Sequence, residues 1–124
     1  MLAIYPAALK LRTASGATFA AGSIFDWTVA HSDKPEMAFN YYFSKIGLFG
    51  GAAVDFTAMG YMAGQKAAVI LNGTHAGTIP VEDAADYAIV FNLKRAMELG
   101  IEIPKPLLTA ADQVYKPDSN LAGR

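Results

Sequence analysis

Apolar positions along the chain fall into short runs divided by glycine, proline and polar clusters, and the runs alternate between two periodicities. Leu2-Ala3-Ile4-Tyr5 is an apolar run closed by Pro6, which lacks a ladder donor, so a buried strand is expected to end there. Lys10 to Gly16 carries turn formers without periodicity. Ala21, Ile24, Phe25 and Val29 then recur at i, i+3, i+4 and i+8, one face of a helix running from about Thr18 to His31. Ser32-Asp33-Lys34-Pro35 breaks that helix. Glu36 to Phe39 reads as a second strand, followed by a loop that carries the aromatic cluster Tyr41-Tyr42-Phe43.

Gly47 to Phe56 mixes glycines with small residues and predicts a strand near Ala52 to Val54, with Asp55 at its C-terminal end. Thr57 to Leu71 predicts a helix by its length and its Ala, Met and Gln content, and Asn72-Gly73 supplies the stop. Gly60 and Gly64 on that helix would allow a neighbour to approach closely. Asn72-Gly73-Thr74 also spells a glycosylation sequon, but the helix stop accounts for the same residues. Asp86 to Phe91 is a further apolar strand, Asn92 caps a helix over Leu93 to Leu99, and Gly100 ends it. Pro104 and Pro106 force a turn, with Pro106 opening a last helix through Tyr115, and residues 117–124 form a polar, frayed tail. Strands alternating with helices predict a single α/β lobe over residues 1–116, a three-layer αβα arrangement on a mostly parallel sheet.

Composition sharpens this picture. With 53% hydrophobic and 17% charged residues and a mean hydropathy of +0.25, the chain is apolar for a soluble domain, which suits a sheet covered on both faces or a surface meant for a partner. A formal net charge of −1 and the lack of any lysine or arginine cluster among aromatics argue against nucleic acid. No cysteine is present, which removes disulfides, thiolate metal sites and thiol nucleophiles. Met1 to Lys10 has no charged segment ahead of an apolar run, so no signal peptide is expected in this chain, and no stretch approaches the roughly 18 to 20 apolar residues of a membrane span.

Candidate chemistry is sparse. The two histidines, His31 and His75, sit beside helix-ending residues and suggest solvated helix termini; Asp33 and Glu36 near His31 match no metal-ligand spacing. Gly22-Ser23 lies inside an expected helix without the second glycine of a nucleophile elbow, so no catalytic residue, metal or cofactor is expected. Gly47, Gly50 and Gly51 fit neither a dinucleotide fingerprint nor a P-loop. The suggestive cluster is Phe39-Asn40-Tyr41-Tyr42-Phe43 together with Val54-Asp55-Phe56, with Asn40, Tyr41, Tyr42, Asp55 and Phe56 as the expected ligand contacts; both groups fall at the carboxyl ends of expected strands, where open α/β sheets bind ligands. Aromatic walls with one amide and one carboxylate could hold a small zwitterion, Asp55 pairing with its ammonium. The alternatives are packing of the tyrosines at a sheet edge and capping by Asp55 of the helix near Thr57.

From about Lys34 to Tyr115 the chain resembles the C-terminal part of substrate-binding proteins of ABC importers, of the group associated with aromatic or other amino acids. The resemblance is carried by Lys34-Pro35, Lys45-Ile46-Gly47-Leu48-Phe49, Val54-Asp55-Phe56-Thr57-Ala58-Met59-Gly60, Ala63-Gly64, Ile70-Leu71-Asn72-Gly73, Ile79-Pro80-Val81-Glu82, and the closing segment Tyr87 to Pro104 in that order. It implies one lobe of a type I periplasmic binding protein, a small-molecule solute such as an amino acid, and an ABC permease and ATPase as partners in an extracytoplasmic setting. It also implies an N-terminal lobe that this chain lacks. The strand Asp86 to Phe91 and the last helix would then show uncovered apolar surface, leading to weak ligand binding and self-association. A free-standing oligomeric α/β domain with a structural or regulatory role is the alternative.

Overall fold

The computed structural model describes residues 2–6, 11–83 and 87–117. The expected tail beyond Pro117 and Asp86, at the start of an expected strand, lie outside the described residues. The helices are α1 (Ala21–His31), α2 (Tyr41–Lys45), α3 (Phe56–Leu71), α4 (Leu93–Glu98) and α5 (Lys105–Ala110), and the strands are β1 (Gly50–Val54), β2 (Tyr87–Asn92) and β3 (Gln113–Tyr115).

The strands lie in the order β1-β2-β3. β1 pairs antiparallel with β2, from Gly50↔Phe91 to Val54↔Tyr87, and β2 pairs parallel with β3, from Val90↔Gln113 to Asn92↔Tyr115. On the other side of β1 the sheet continues as parallel bridges, Met37↔Gly50 and Asn40↔Val54, and then Ile4↔Glu36. The expected strands at Leu2–Tyr5 and Glu36–Phe39 are thus present as bridging extended segments. Three of the four neighbouring pairs are parallel, as expected, and the direction reverses once, at β2.

Alternation along β2 builds the two cores. Ala88 and Val90 point to one face, where they join Ala38 and Ala53 under Tyr41 and Phe43, and α1 reaches this layer through Phe25, whose ring lies 4.7 Å from that of Phe43. Ile89 and Phe91 point to the other face and pack with Ala96, Ile103 and Leu108 from α4, α5 and the chain between them. Helices therefore cover both faces, the three-layer arrangement the alternation predicts. β2 is its buried centre, not an uncovered strand. Gly50 is obligatory within this sheet: its φ is +129°, and a Cβ there would overlap the Val90 carbonyl.

Local signals set the helix ends. Asp55 Oδ1 accepts from the Thr57 and Ala58 amides at 2.9 and 3.1 Å and starts α3. α3 and α4 both end in paired bonds around a positive-φ glycine: Gly73 and Thr74 donate to Ile70 and Val69, and Gly100 and Ile101 to Met97 and Ala96. Two expectations change. The aromatic cluster is not a loop but the short helix α2, because Asn40 Oδ1 accepts from the Tyr42 amide at 3.0 Å. The last helix stops at Ala110, and Gln113–Tyr115 becomes β3, since Asp112 ties the chain to β2 by accepting from the Ile89 amide at 2.7 Å and donating its own amide to Ile89 O at 2.8 Å.

Two polar links cross the core. Asn92 Oδ1 accepts from the Arg95 amide at 3.0 Å, capping α4 as expected, while its Nδ2 donates to Ser44 O at 2.8 Å and so fastens α2 to β2. Glu36 is fully buried and Arg95 is 5% exposed; Arg95 Nε and Nη2 donate to the two Glu36 oxygens at 3.1 and 2.6 Å, and Nη2 also donates to Ser32 O at 2.9 Å. The carboxylate partner raises the Arg95 pKa against the opposing effect of burial.

α3 stands apart from this core. None of its side chains is buried, although it carries Met59, Tyr61, Val69, Ile70 and Leu71. Its companion is the segment 79–82, held by Lys66, which donates to Pro80 O at 2.8 Å and pairs with Glu82 at 3.1 Å.

Candidate functional site

The parallel segments ending at Tyr5, Asn40 and Val54 bring their carboxyl ends together, and because β2 runs the other way its first residue, Tyr87, joins them. A cleft of about 350 Å³ opens there, with walls that include Tyr5, Phe39, Val54, Phe56, Met59 and Tyr87. The rings form a ladder: Tyr5 meets Phe39 edge-on at 6.2 Å, and Phe39 meets Phe56 at 6.4 Å with the planes inclined by 58°. All four aromatic residues are exposed, Tyr87 by 67%, so a ligand entering the cleft would remove apolar surface from water.

The five sequence-predicted residues divide. Phe56 lines the cleft. Asp55 lies between the wall residues Val54 and Phe56, with Oδ1 engaged by α3 and Oδ2 without a hydrogen-bond partner among the described residues. Asn40 sits at the neighbouring strand end, its Oδ1 engaged by α2 and its Nδ2 without a partner among the described residues. Capping is therefore established for both residues, and each keeps one polar atom for another role. Tyr41 packs on the Ala38–Val90 core, and Tyr42 is exposed with the Lys45 ammonium 5.8 Å from its ring centre; neither lines the cleft.

Of the wall residues outside the five expected contacts, Phe39 and Val54 belong to the suggestive cluster, whereas Tyr5, Met59 and Tyr87 lie outside it. The Pro6 stop marks Tyr5 as a strand end, and Phe39 precedes Asn40 in the same aromatic run. Nothing local marks Tyr87, whose place depends on the reversed direction of β2.

A second concavity of about 380 Å³ lies between α1 and the turn before it, among Leu11, Phe19, Ile24 and Trp27, with Ser23 as its polar contributor. It has no charged or amide group to orient a ligand. His31 stacks on Trp27 at 4.4 Å, and His75 Nδ1 accepts from the Gly77 amide at 3.2 Å, so both histidines occupy local structural roles. Among the described residues no group of three His, Cys, Asp or Glu side chains could hold a metal, and no helix is long and apolar enough to cross a membrane.

Comparison with known proteins agrees with this fold. A crystal structure of a conserved domain protein from Vibrio cholerae O1 biovar El Tor is 26% identical, with a TM-score of 0.62 over 76% of this chain and 32% of that one. An ABC domain from Streptococcus pneumoniae in complex with L-Trp is 29% identical, with a TM-score of 0.63 over 74% of this chain and 32% of that one. The chain spans about a third of the length of these solved structures. A comparison with curated proteins gives no match. The sequence pattern of the ABC transporter substrate binding protein family matches residues 29–115, most of the lobe and all of β1 to β3, and the chain belongs to that family.

Proposed function

We propose that the lobe forms one wall of a solute-binding cleft and takes up a small molecule without transforming it, with an amino acid bearing a flat apolar side chain as the ligand. The observation that carries this reading is the aromatic cleft at the joined carboxyl ends of the strands, with Asp55 between the wall residues Val54 and Phe56. Tyr5, Phe39, Phe56 and Tyr87 would hold the side chain, and Asp55 Oδ2 would pair with the ammonium. Asn40 Nδ2 would reach the carboxylate, with Tyr42 exposed beside it and Tyr41 supporting the helix that presents them. The L-Trp complex of the pneumococcal relative supports the ligand class. In this reading a second lobe supplies the facing wall, closure traps the solute, and an ABC permease and ATPase carry out import from an extracytoplasmic compartment.

Asp55→Asn is the informative test, because asparagine caps a helix about as well as aspartate while removing the charge. Calorimetric titration with L-tryptophan and other amino acids should show binding by the two-lobed protein and loss of at least tenfold in the variant. Full retention would confine Asp55 to capping, and no binding by the parent protein would sink the amino-acid reading.

The bare apolar surface of α3 favours a second element of the proposal: this helix is covered in the working protein, and the isolated chain associates through it. Light scattering should give a mass above that of one chain. A clean monomer at high concentration would count against it.

A further inference from the structure

The single reversal at β2 gives this sheet two carboxyl edges. The aromatic cleft occupies one. The parallel pair β2 and β3 ends on the opposite edge, at Asn92 and Tyr115, which are register partners. Ligand sites in open α/β sheets form beyond the carboxyl ends of the strands. This second edge meets that description independently of the first.

A cleft of about 490 Å³ opens there, lined by Lys45, Lys94, Lys116, Tyr115 and Asn92 around the turn at Ile46 and Gly47. Three of the seven lysines in the chain thus line one concavity that has no carboxylate in its lining among the described residues, although acidic residues outnumber basic ones overall. Their other engagements are slight. Lys94 approaches Glu98 at 3.9 Å on an exposed helix face, Lys45 lies over the Tyr42 ring, and Lys116 has no ion pair among the described residues. Glu98 also accepts from Arg95. Tyr115 is partly buried and offers a hydroxyl donor, which burial and then Tyr41 keep protonated. Asn92 is committed to Ser44 and Arg95 and serves as a fixed floor.

We propose that this lysine-lined cleft binds a small dianionic oxyanion, of the phosphate or phosphate-ester class, at the edge of the sheet opposite the solute cleft. All three lysines line one concavity, and a dianion seated there would draw their ammonium groups into charge-assisted hydrogen bonds. A single carboxylate brings one negative charge against three lysines. A phosphate offers enough acceptor oxygens to engage all three and the Tyr115 hydroxyl together.

The experiment titrates the full chain with inorganic phosphate and with phenyl phosphate at constant ionic strength, chloride serving as the control, and follows backbone amide signals by NMR. Saturable shifts at Gly47, Lys94 and Lys116 are expected, and Lys45→Gln/Lys94→Gln/Lys116→Gln should weaken binding at least tenfold with an unchanged circular dichroism spectrum. Should the triple variant misfold, the single exposed change Lys116→Glu must still weaken binding severalfold. Tighter binding of phenyl phosphate would identify an esterified ligand, and equal binding free phosphate. The Phe56→Ala variant should bind phosphate like the parent, which separates this site from the solute cleft. Shifts that match the chloride control, or saturable binding unaffected by the lysine substitutions, would overturn the proposal.

Discussion

Replacing Arg95 by methionine isolates the buried ion pair. The change keeps most of the side-chain stem but leaves the Glu36 carboxylate, fully buried, without the two bonds at 3.1 and 2.6 Å that hold it. Removing one partner of such a pair costs about 3 to 5 kcal/mol, because the remaining charge stays in the interior. Set against a total stability of about 5 to 15 kcal/mol for a domain, that is a large fraction, equivalent to a fall in melting temperature on the order of 10 to 20 °C. Glu36→Leu alone should be severe for the converse reason, softened because Arg95 retains Ser32 O at 2.9 Å and Glu98 at 3.4 Å. The double variant Glu36→Leu/Arg95→Met removes both charges and should lie within about 1 kcal/mol of the parent, since apolar replacements of buried pairs are often neutral or stabilising. Urea denaturation followed by far-ultraviolet circular dichroism closes this double-mutant cycle. If the two single losses simply added in the double variant, or Arg95→Met cost under about 1 kcal/mol, the reasoning from an uncompensated buried charge would be refuted.

Asn92→Ala should cost about 2 to 3 kcal/mol, since it removes a helix cap and a buried bond to Ser44 O, and Asn92→Asp, which keeps the cap but turns a buried carboxylate oxygen toward Ser44 O, should cost at least as much; chemical denaturation measures both. Gly50→Ala should destabilise by more than about 1 kcal/mol, because its Cβ meets the Val90 carbonyl at a positive φ, while Gly60→Ala on α3, with open space around it, should be neutral or stabilising. The Tyr115 pKa is raised above its ordinary value of 10.0, so the folded state holds the phenolic proton more tightly than the unfolded chain. Its stabilising contribution is present in full below about pH 10 and fades as pH rises through the folded-state value. Melting temperature measured across the alkaline range should therefore fall less steeply in Tyr115→Phe than in the parent.

What the sequence made legible is local in its physics. The Gly73 and Gly100 stops and the Asn92 cap each act within one turn of chain, and the structure reproduces them. In the sequence Asn40 reads as a ligand contact, whereas in the structure it is also the cap that converts the following aromatics into a helix. The longer-range features were hidden. Val114 and Tyr115 suit a helix end or a strand, and only the docking of Asp112 against Ile89, 23 positions away, decides for β3. Glu36 and Arg95 lie 59 positions apart, and neither carries a mark of burial in its own neighbourhood. The site divides in the same way: Asp55 and Phe56 follow from the end of one strand, but Tyr87 depends on which way a distant strand runs.

The central position of β2 also dictates the order in which the lobe can be assembled. This strand enters late in the chain yet borders both β1 and β3, and its two faces supply residues to both cores. A nascent chain that has emerged only as far as α3 holds β1 with one side unpaired and Glu36 without Arg95. Among the described residues before α3, no strand takes the place of β2 beside β1. The lobe therefore gains cooperative structure only after its last third has left the ribosome, and until then its apolar segments are exposed to chaperones and proteases.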